Sequence, residues 1–174
     1  RTKLPVDGFD AKVLLLSRNF GSFSAIRAGL REAQGEATVM MAADLQEPTS
    51  LIVDMLGIVQ QDKADVAVGV RQSRKDGVIS RTLSAVFWRI FNQVSSLELP
   101  RGGVDIFALN RNARETLNTF EESSTSLIGL IYWMGFRRQE VPYHRVERKV
   151  GKSSWSLRKR INYAKDSITA FSEF

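Results

Sequence analysis

Residues 38–70 read TVMMAADLQEPTSLIVDMLGIVQQDKADVAVGV, and this stretch decides the fold. Thr38 to Ala43 is a short apolar run that predicts a buried strand, and it stops at the polar break Asp44-Leu45-Gln46-Glu47-Pro48. Pro48 or Thr49 suits the start of a helix over Ser50 to Gln61, with Leu51, Met55, Ile58 and Val59 on one side. Asp65 to Val70 then predicts another strand. Upstream the same alternation holds. Lys12 to Ser17 (KVLLLS) predicts a buried strand, Phe20-Gly21-Ser22 breaks it, and Ala25 to Ala33 reads as a helix ended by Gly35. Strands separated by helices of ordinary length predict βαβ units and an α/β fold with a mostly parallel sheet. Right-handed crossovers gather the strand ends along one edge, where open α/β sheets bind ligands. Asn19, Asp44 and Arg71 each follow a predicted strand and belong on that edge.

The second half has a different rhythm. Val78 to Val94 predicts a long amphipathic helix, with Ile79, Leu83, Val86, Phe87, Ile90, Phe91 and Val94 at helical spacing. Pro100 to Gly103 reads as a loop and Val104 to Leu109 (VDIFAL) as a strand. Short helices follow near Arg111 to Leu117 and Ser126 to Met134. Phe136 to Arg145 suits an edge strand, because Pro142 cannot donate to a central ladder. After a polar loop, Gly151 to Trp155, the last helix runs from Leu157 to Phe171 with Leu157, Ile161, Ala164, Ile168 and Phe171 on one face.

Composition narrows the chemistry. The 174 residues are 43% hydrophobic and 25% charged, as in an ordinary globular protein of one domain. The absence of cysteine excludes disulfides, thiolate zinc sites and cysteine nucleophiles, and the single histidine, His144, leaves neither a histidine metal cluster nor a Ser-His-Asp triad. Ser153 and Ser154 have no base at motif spacing, and Trp88 and Trp133 are expected in the core. The longest apolar stretch, Leu127 to Phe136, is ten residues, about half a membrane span. The net charge of +6 is uneven: Arg137 to Arg160 holds nine Lys/Arg against two Glu. Such a segment suits phosphates, anionic lipid headgroups or nucleic acid, or is simply a solvated basic face.

Two acidic positions stand out. Asp44, with Gln46 and Glu47 beside it, provides oxygen ligands of the kind a hard divalent cation shares with a diphosphate, although acids ahead of a helix also serve its dipole. Asp105 interrupts an apolar strand, where burial favours a general base, while the preceding Gly102-Gly103 equally allows a turn-capping acid. Arg71, Arg74, Lys75 and Arg81 follow the strand at Asp65 to Val70 and could receive a phosphate.

In order, SRNFGSFSAIRAGL, MMAADLQEP, DVAVGVRQSR, the amphipathic helix, GGVDIFALNR, WMGFRR and GKSSWSLRK resemble the family-2 glycosyltransferases, nearest the polyprenyl-phosphate branch that includes dolichol-phosphate mannose synthase-like enzymes. The resemblance covers about Ser17 to the C-terminus. It implies a GT-A fold and inverting transfer of a sugar from a nucleotide-sugar, assisted by Mg²⁺ or Mn²⁺, to a lipid-linked phosphate at an anionic membrane surface. By similarity, Asp44 and Gln46 hold the metal, Asn19 and Asp44 the nucleotide-sugar, and Arg71, Arg81, Lys152 and Ser153 the acceptor phosphate. Asp105 matches the acid proposed to deprotonate the acceptor. The resemblance further implies a single catalytic domain over residues 1–174, excised from a larger protein at the cytoplasmic face of a membrane, with the helix from Leu157 leading to a membrane segment. It implies no nucleic-acid partner and allows a homo-oligomer.

Three positions depart from the pattern. Ala42 stands where the first acid of the family's Asp-x-Asp element belongs, Phe107 where an Arg is usual, and Ser154 where a Lys is usual. Metal binding therefore falls to Asp44, Gln46 and Glu47. Other readings of the same residues are transfer to a soluble or polysaccharide acceptor, a non-catalytic relative without its metal site, and a nucleic-acid module in which Tyr143 and Trp155 stack on bases.

Overall fold

The computed structural model describes residues 2–6, 9–44, 46–72, 99–100, 104–121 and 126–146. The expected helices over Val78–Val94 and Leu157–Phe171, and the site residues Arg81, Lys152 and Ser153, lie outside the described residues.

A hairpin comes first. Strand β1 (Thr2–Val6) pairs antiparallel with β2 (Phe9–Val13), with Thr2 opposite Val13. Helix α1 (Ser22–Glu32) follows, then β3 (Ala37–Met40), α2 (Thr49–Gln60) and β4 (Val66–Arg71). Strand β5 (Val104–Asn110), α3 (Arg111–Thr119), α4 (Leu127–Trp133) and β6 (Arg138–Tyr143) complete the described elements. Four strands form one sheet in the order β3-β5-β4-β6. Strand β5 runs antiparallel to both β3 and β4, and β6 runs parallel to β4. Three strands thus point one way and β5 alone is reversed, in an α/β architecture.

Alternation along the strands divides the core between two layers. Val66, Val68, Phe107 and Leu109 face one side and pack with Leu30 of α1, Ala113 and Leu117 of α3, and Leu127, Leu130 and Ile131 of α4. Ala67, Ile106, Ala108 and Tyr143 face the other and meet Leu51, Met55, Ile58 and Val59 of α2. A sheet covered on both faces needs apolar residues at consecutive positions, so Val66–Val70 of β4 and Ile106–Leu109 of β5 read as apolar runs. The Leu51, Met55, Ile58 and Val59 stripe packs inward as its spacing predicts.

The expected strand over Lys12–Ser17 is corrected. Only Lys12 and Val13 are in a strand, and that strand pairs with Thr2–Val6 rather than with the main sheet. Leu14 to Ser17 leave the ladder, and Leu15 is 79% exposed. An apolar run specifies burial or β-propensity but not a partner, and a nearby antiparallel segment captured its first residues. The strand at Thr38–Ala43 ends earlier, at Met40. Trp133, expected in the core, is 58% exposed and stacks edge-on against Phe120 with ring centroids 5.7 Å apart. Helix α1 starts three residues before the expected Ala25, because Gly21, with φ 91°, supplies the turn that opens it.

Candidate active site

The loop after β3, the end of β4, the beginning of the reversed strand β5 and the chain just after β6 share one edge of the sheet. Asp44, Gln46, Glu47, Arg71, Asp105, Tyr143 and Arg145 come from those four places.

A bulge sets one half of the group. Pairing between β4 and β5 joins Gly69 to Ile106 and then Val70 to Val104, so Asp105 is the extra residue on β5. An extra residue has no opposite number in the ladder, and a bulge re-aims its side chain. Asp105 Oδ2 accepts hydrogen bonds from the Arg71 guanidinium and, at 3.2 Å, from the Tyr143 hydroxyl. Burial works against the charge on Arg71, but the hydrogen bond and charge of Asp105 outweigh it and hold the guanidinium pKa above its ordinary value. The Tyr143 phenol is pushed well above its usual value, first by burial and then by the negative charges of Asp105 and Glu47. Asp105 is therefore neither a turn cap nor a lone buried acid: it anchors a cation and a phenol.

Arg145 organises the other half. Its terminal nitrogen lies 3.7 Å from Asp44 Oδ2 and 3.8 Å from Glu47 Oε1. Glu47 is only 2% exposed, and neither of its carboxyl oxygens has a hydrogen-bond partner. Burial raises its pKa, opposed by Arg145 and reinforced by Asp44. The two segments carrying these groups are tied together by Gln46. Its carbonyl accepts from the Val146 amide at 2.9 Å, and its carboxamide nitrogen donates to the Val146 carbonyl at 3.1 Å. Asp44 Oδ1 accepts from the Gln46 amide at 3.4 Å, which tightens the turn.

The sequence-predicted residues divide accordingly. Asp44, Gln46, Arg71 and Asp105 come to this edge. Asn19 lies exposed before α1, where its side-chain oxygen accepts the Gly21 amide at 2.9 Å in an Asx-type turn. The sequence gives no sign of Arg145 at this edge, of the bond from Tyr143 to Asp105 or of the burial of Glu47. Arg145 was hidden in a basic run, and it stands just past the end of β6, two residues beyond Tyr143. Glu47 lies three residues after Asp44, and Pro48 at the N-cap of α2 fixes the chain direction right after it.

The basic segment is partly occupied internally. Arg137 binds Asp62 at 2.5 Å and Asp65 at 3.0 Å, and Arg138 stacks over Tyr132 at 4.5 Å. With Arg145 held between two acids, each described arginine of that segment has a partner inside the protein.

The sequence model described as Glycosyl transferase family 2 matches residues 1–125. The chain belongs to glycosyltransferase family 2. Among curated relatives of this family-2 domain, the putative glycosyltransferase CsbB of Bacillus subtilis is 34% identical over 160 residues, covering 92% of this chain and 48% of its own. The bactoprenol glucosyl transferase of Shigella phage SfV is 31% identical over 162 residues, covering 92% and 52%. A prophage bactoprenol glucosyl transferase homolog of Escherichia coli K12 is 30% identical, covering 92% and 53%. The chain spans about half the length of these relatives. No helix among the described residues is long and apolar enough to cross a membrane.

The resemblance to metal-assisted enzymes can be tested on these side chains. Among the described residues no three His, Cys, Asp or Glu side chains converge as a ready metal cluster. Asp44 and Glu47 nevertheless each have an oxygen within 3.8 Å of the same Arg145 nitrogen, so one cation pairs with both carboxylates. The unpaired oxygens of Glu47 have capacity to spare. The acid pair, with Gln46 beside it, offers oxygen donors of the kind a hard divalent ion takes.

Proposed function

We propose that this domain transfers a sugar from a nucleotide-sugar to the phosphate of a polyprenyl phosphate, with inversion at the anomeric carbon, at the cytoplasmic surface of a membrane. The observation that carries the reading is the meeting at one sheet edge of an acid pair with a cation and of an arginine held by Asp105. Membership of family 2 supplies the reaction type, and relatives named as bactoprenol glucosyl transferases favour a lipid-phosphate acceptor.

Asp44, Glu47 and Gln46 would hold Mg²⁺ or Mn²⁺, which supplies positive charge to the departing diphosphate. Asn19 lies on the loop assigned by similarity to the nucleotide. Arg71 receives the acceptor phosphate, and Asp105 and Tyr143 keep its guanidinium in place. Arg81, Lys152 and Ser153 are assigned to the same phosphate by similarity. An acceptor phosphate oxygen attacks the anomeric carbon from the face opposite the diphosphate. The new carbon–oxygen bond forms as the bond to the donor phosphate breaks, and the electron pair leaves with the nucleoside diphosphate. The acceptor is already an anion near neutral pH, so Asp105 acts chiefly by orienting Arg71 rather than by taking a proton.

The test offers labelled nucleotide-sugars with Mn²⁺ and a short polyprenyl phosphate in detergent. Label extracted into organic solvent, with the opposite anomeric configuration by NMR, is expected. Label found only on soluble glycans overturns the lipid acceptor, and no consumption of any donor overturns glycosyl transfer.

A further inference from the structure

We infer that Glu47 takes over the role of the acid missing at Ala42, and that Arg145 is a resident cation occupying the divalent-ion site until the ion displaces it. The inference rests on the metal-assisted reading above and assigns it to side chains of this chain.

Three observations meet at this point. The first is an incomplete element: Ala42 offers no ligand, so Asp44 alone remains of the expected pair. The second is Glu47, whose carboxyl is buried with both oxygens unpartnered beside Asp44. A buried carboxylate without hydrogen bonds costs several kcal/mol as a rule, so its retention in this place calls for a compensating cation. The third is Arg145, which bridges Asp44 and Glu47 at 3.7 and 3.8 Å, too long for good hydrogen bonds, while its Nε also lacks a partner. The bridge leaves both Glu47 oxygens and the Arg145 Nε without a hydrogen bond. Arg145 is 27% exposed, whereas the Glu47 side chain is fully buried beneath it. The more exposed guanidinium can swing outward, whereas the buried Glu47 side chain cannot follow it.

Charge favours the exchange, since a divalent ion carries twice the charge of a guanidinium. A divalent ion held by Asp44 and Glu47 would displace the guanidinium and leave Arg145 free. The arginine and the ion therefore compete for the same oxygens.

The test is Mn²⁺ binding to the full chain without any nucleotide, followed by the loss of the free-ion EPR signal. Wild type is expected to bind one Mn²⁺. Glu47→Gln should weaken that binding about tenfold or more, whereas Arg145→Gln should tighten it by a similar factor because a competing positive charge is gone. In the Glu47→Gln background, Ala42→Asp should restore binding, which a merely misfolded variant would not do. No Mn²⁺ binding by wild type at millimolar ion, unchanged binding in Glu47→Gln, or unchanged or weaker binding in Arg145→Gln each overturns the inference. Since no donor or acceptor is present, a failed transfer assay with these Mn²⁺ results intact counts against the proposed reaction and not against the cation site.

Discussion

Gly69 is expected to tolerate no side chain. A Cβ built on it would lie 2.3 Å from Ile106 Cγ2, 3.3 Å from Tyr143 Cε1 and 3.5 Å from the Ile106 carbonyl oxygen. Carbon atoms sit comfortably about 3.5–4.0 Å apart, so the Ile106 methyl would have to retreat by more than about 1 Å. It has nowhere to go, because Ile106 is fully buried between β4 and α2 in a close-packed layer. Overpacking of this kind typically costs about 1–3 kcal/mol. With an unfolding entropy of about 2.1 cal/mol/K per residue over 174 residues, Gly69→Ala should lower Tm by about 3–8 °C. The measurement is thermal unfolding by circular dichroism or calorimetry. The contact itself is isolated by Ile106→Leu, which removes the offending methyl at nearly constant volume. The double variant should lose less stability than the sum of the singles, by about 1 kcal/mol or more, as expected for residues in contact. A Gly69→Ala protein melting within 1 °C of wild type, or strict additivity in the double variant, would refute the reasoning. Gly69 also stands where the pairing slips to make room for Asp105. The surviving folded fraction should therefore show a reduced turnover rate.

Asp105→Asn keeps the shape of the side chain but removes the charge that holds Arg71; kcat should fall about tenfold, below the ~10²–10⁴-fold typical of a lost general base, with the KM for nucleotide-sugar nearly unchanged in steady-state kinetics. A rate within twofold of wild type would remove Asp105 from the site. Asn110 caps α3 by accepting the Ala113 amide at 2.8 Å and also donates to Asp65 at 3.0 Å; Asn110→Ala should cost about 1–2 kcal/mol in urea denaturation. The Asp65 carboxyl is held below its ordinary pKa, chiefly by its hydrogen bond from Arg137. A carboxylate whose folded pKa is depressed contributes its full stability above the unfolded value and loses it as the pH falls through the folded value. Denaturation midpoints should thus decline as the solution is acidified below the ordinary carboxylate range, and Asp65→Asn should flatten that decline.

The strands and helices between Thr38 and Val70 were readable because both signals used there are local. An amphipathic stripe with Pro48 at its N-cap fixes α2, and an apolar run bounded by polar residues fixes β4. What local signals leave out is pairing. Nothing in KVLLLS distinguishes a strand at the centre of a sheet from one half of a short hairpin, and the partner of Val13 proved to be Thr2. The reversed direction of β5 is likewise invisible in VDIFAL, because a strand covered on both faces reads the same way in either direction.

The site shows the same division more sharply at Asp105. An acid between Val104 and Ile106 looks like an error in a buried strand, and the two explanations open to the sequence were a turn cap and a base with a burial-shifted pKa. Both assume that every residue of the strand occupies a rung of the ladder. The slip between Gly69 and Val70 removes that assumption: Asp105 has no rung, so its carboxyl need not enter either apolar layer and is free to meet Arg71 and Tyr143 at the sheet edge. The glycine that lets Ile106 pack close and the acid one residue before it are thus parts of one device. Its signal in the sequence is a pair: a glycine near the end of one apolar strand and an unexplained acid near the start of another. Either residue alone is ambiguous. Together, on strands that pair antiparallel, they place a charged group at the edge of the sheet, beside Arg71 and Tyr143.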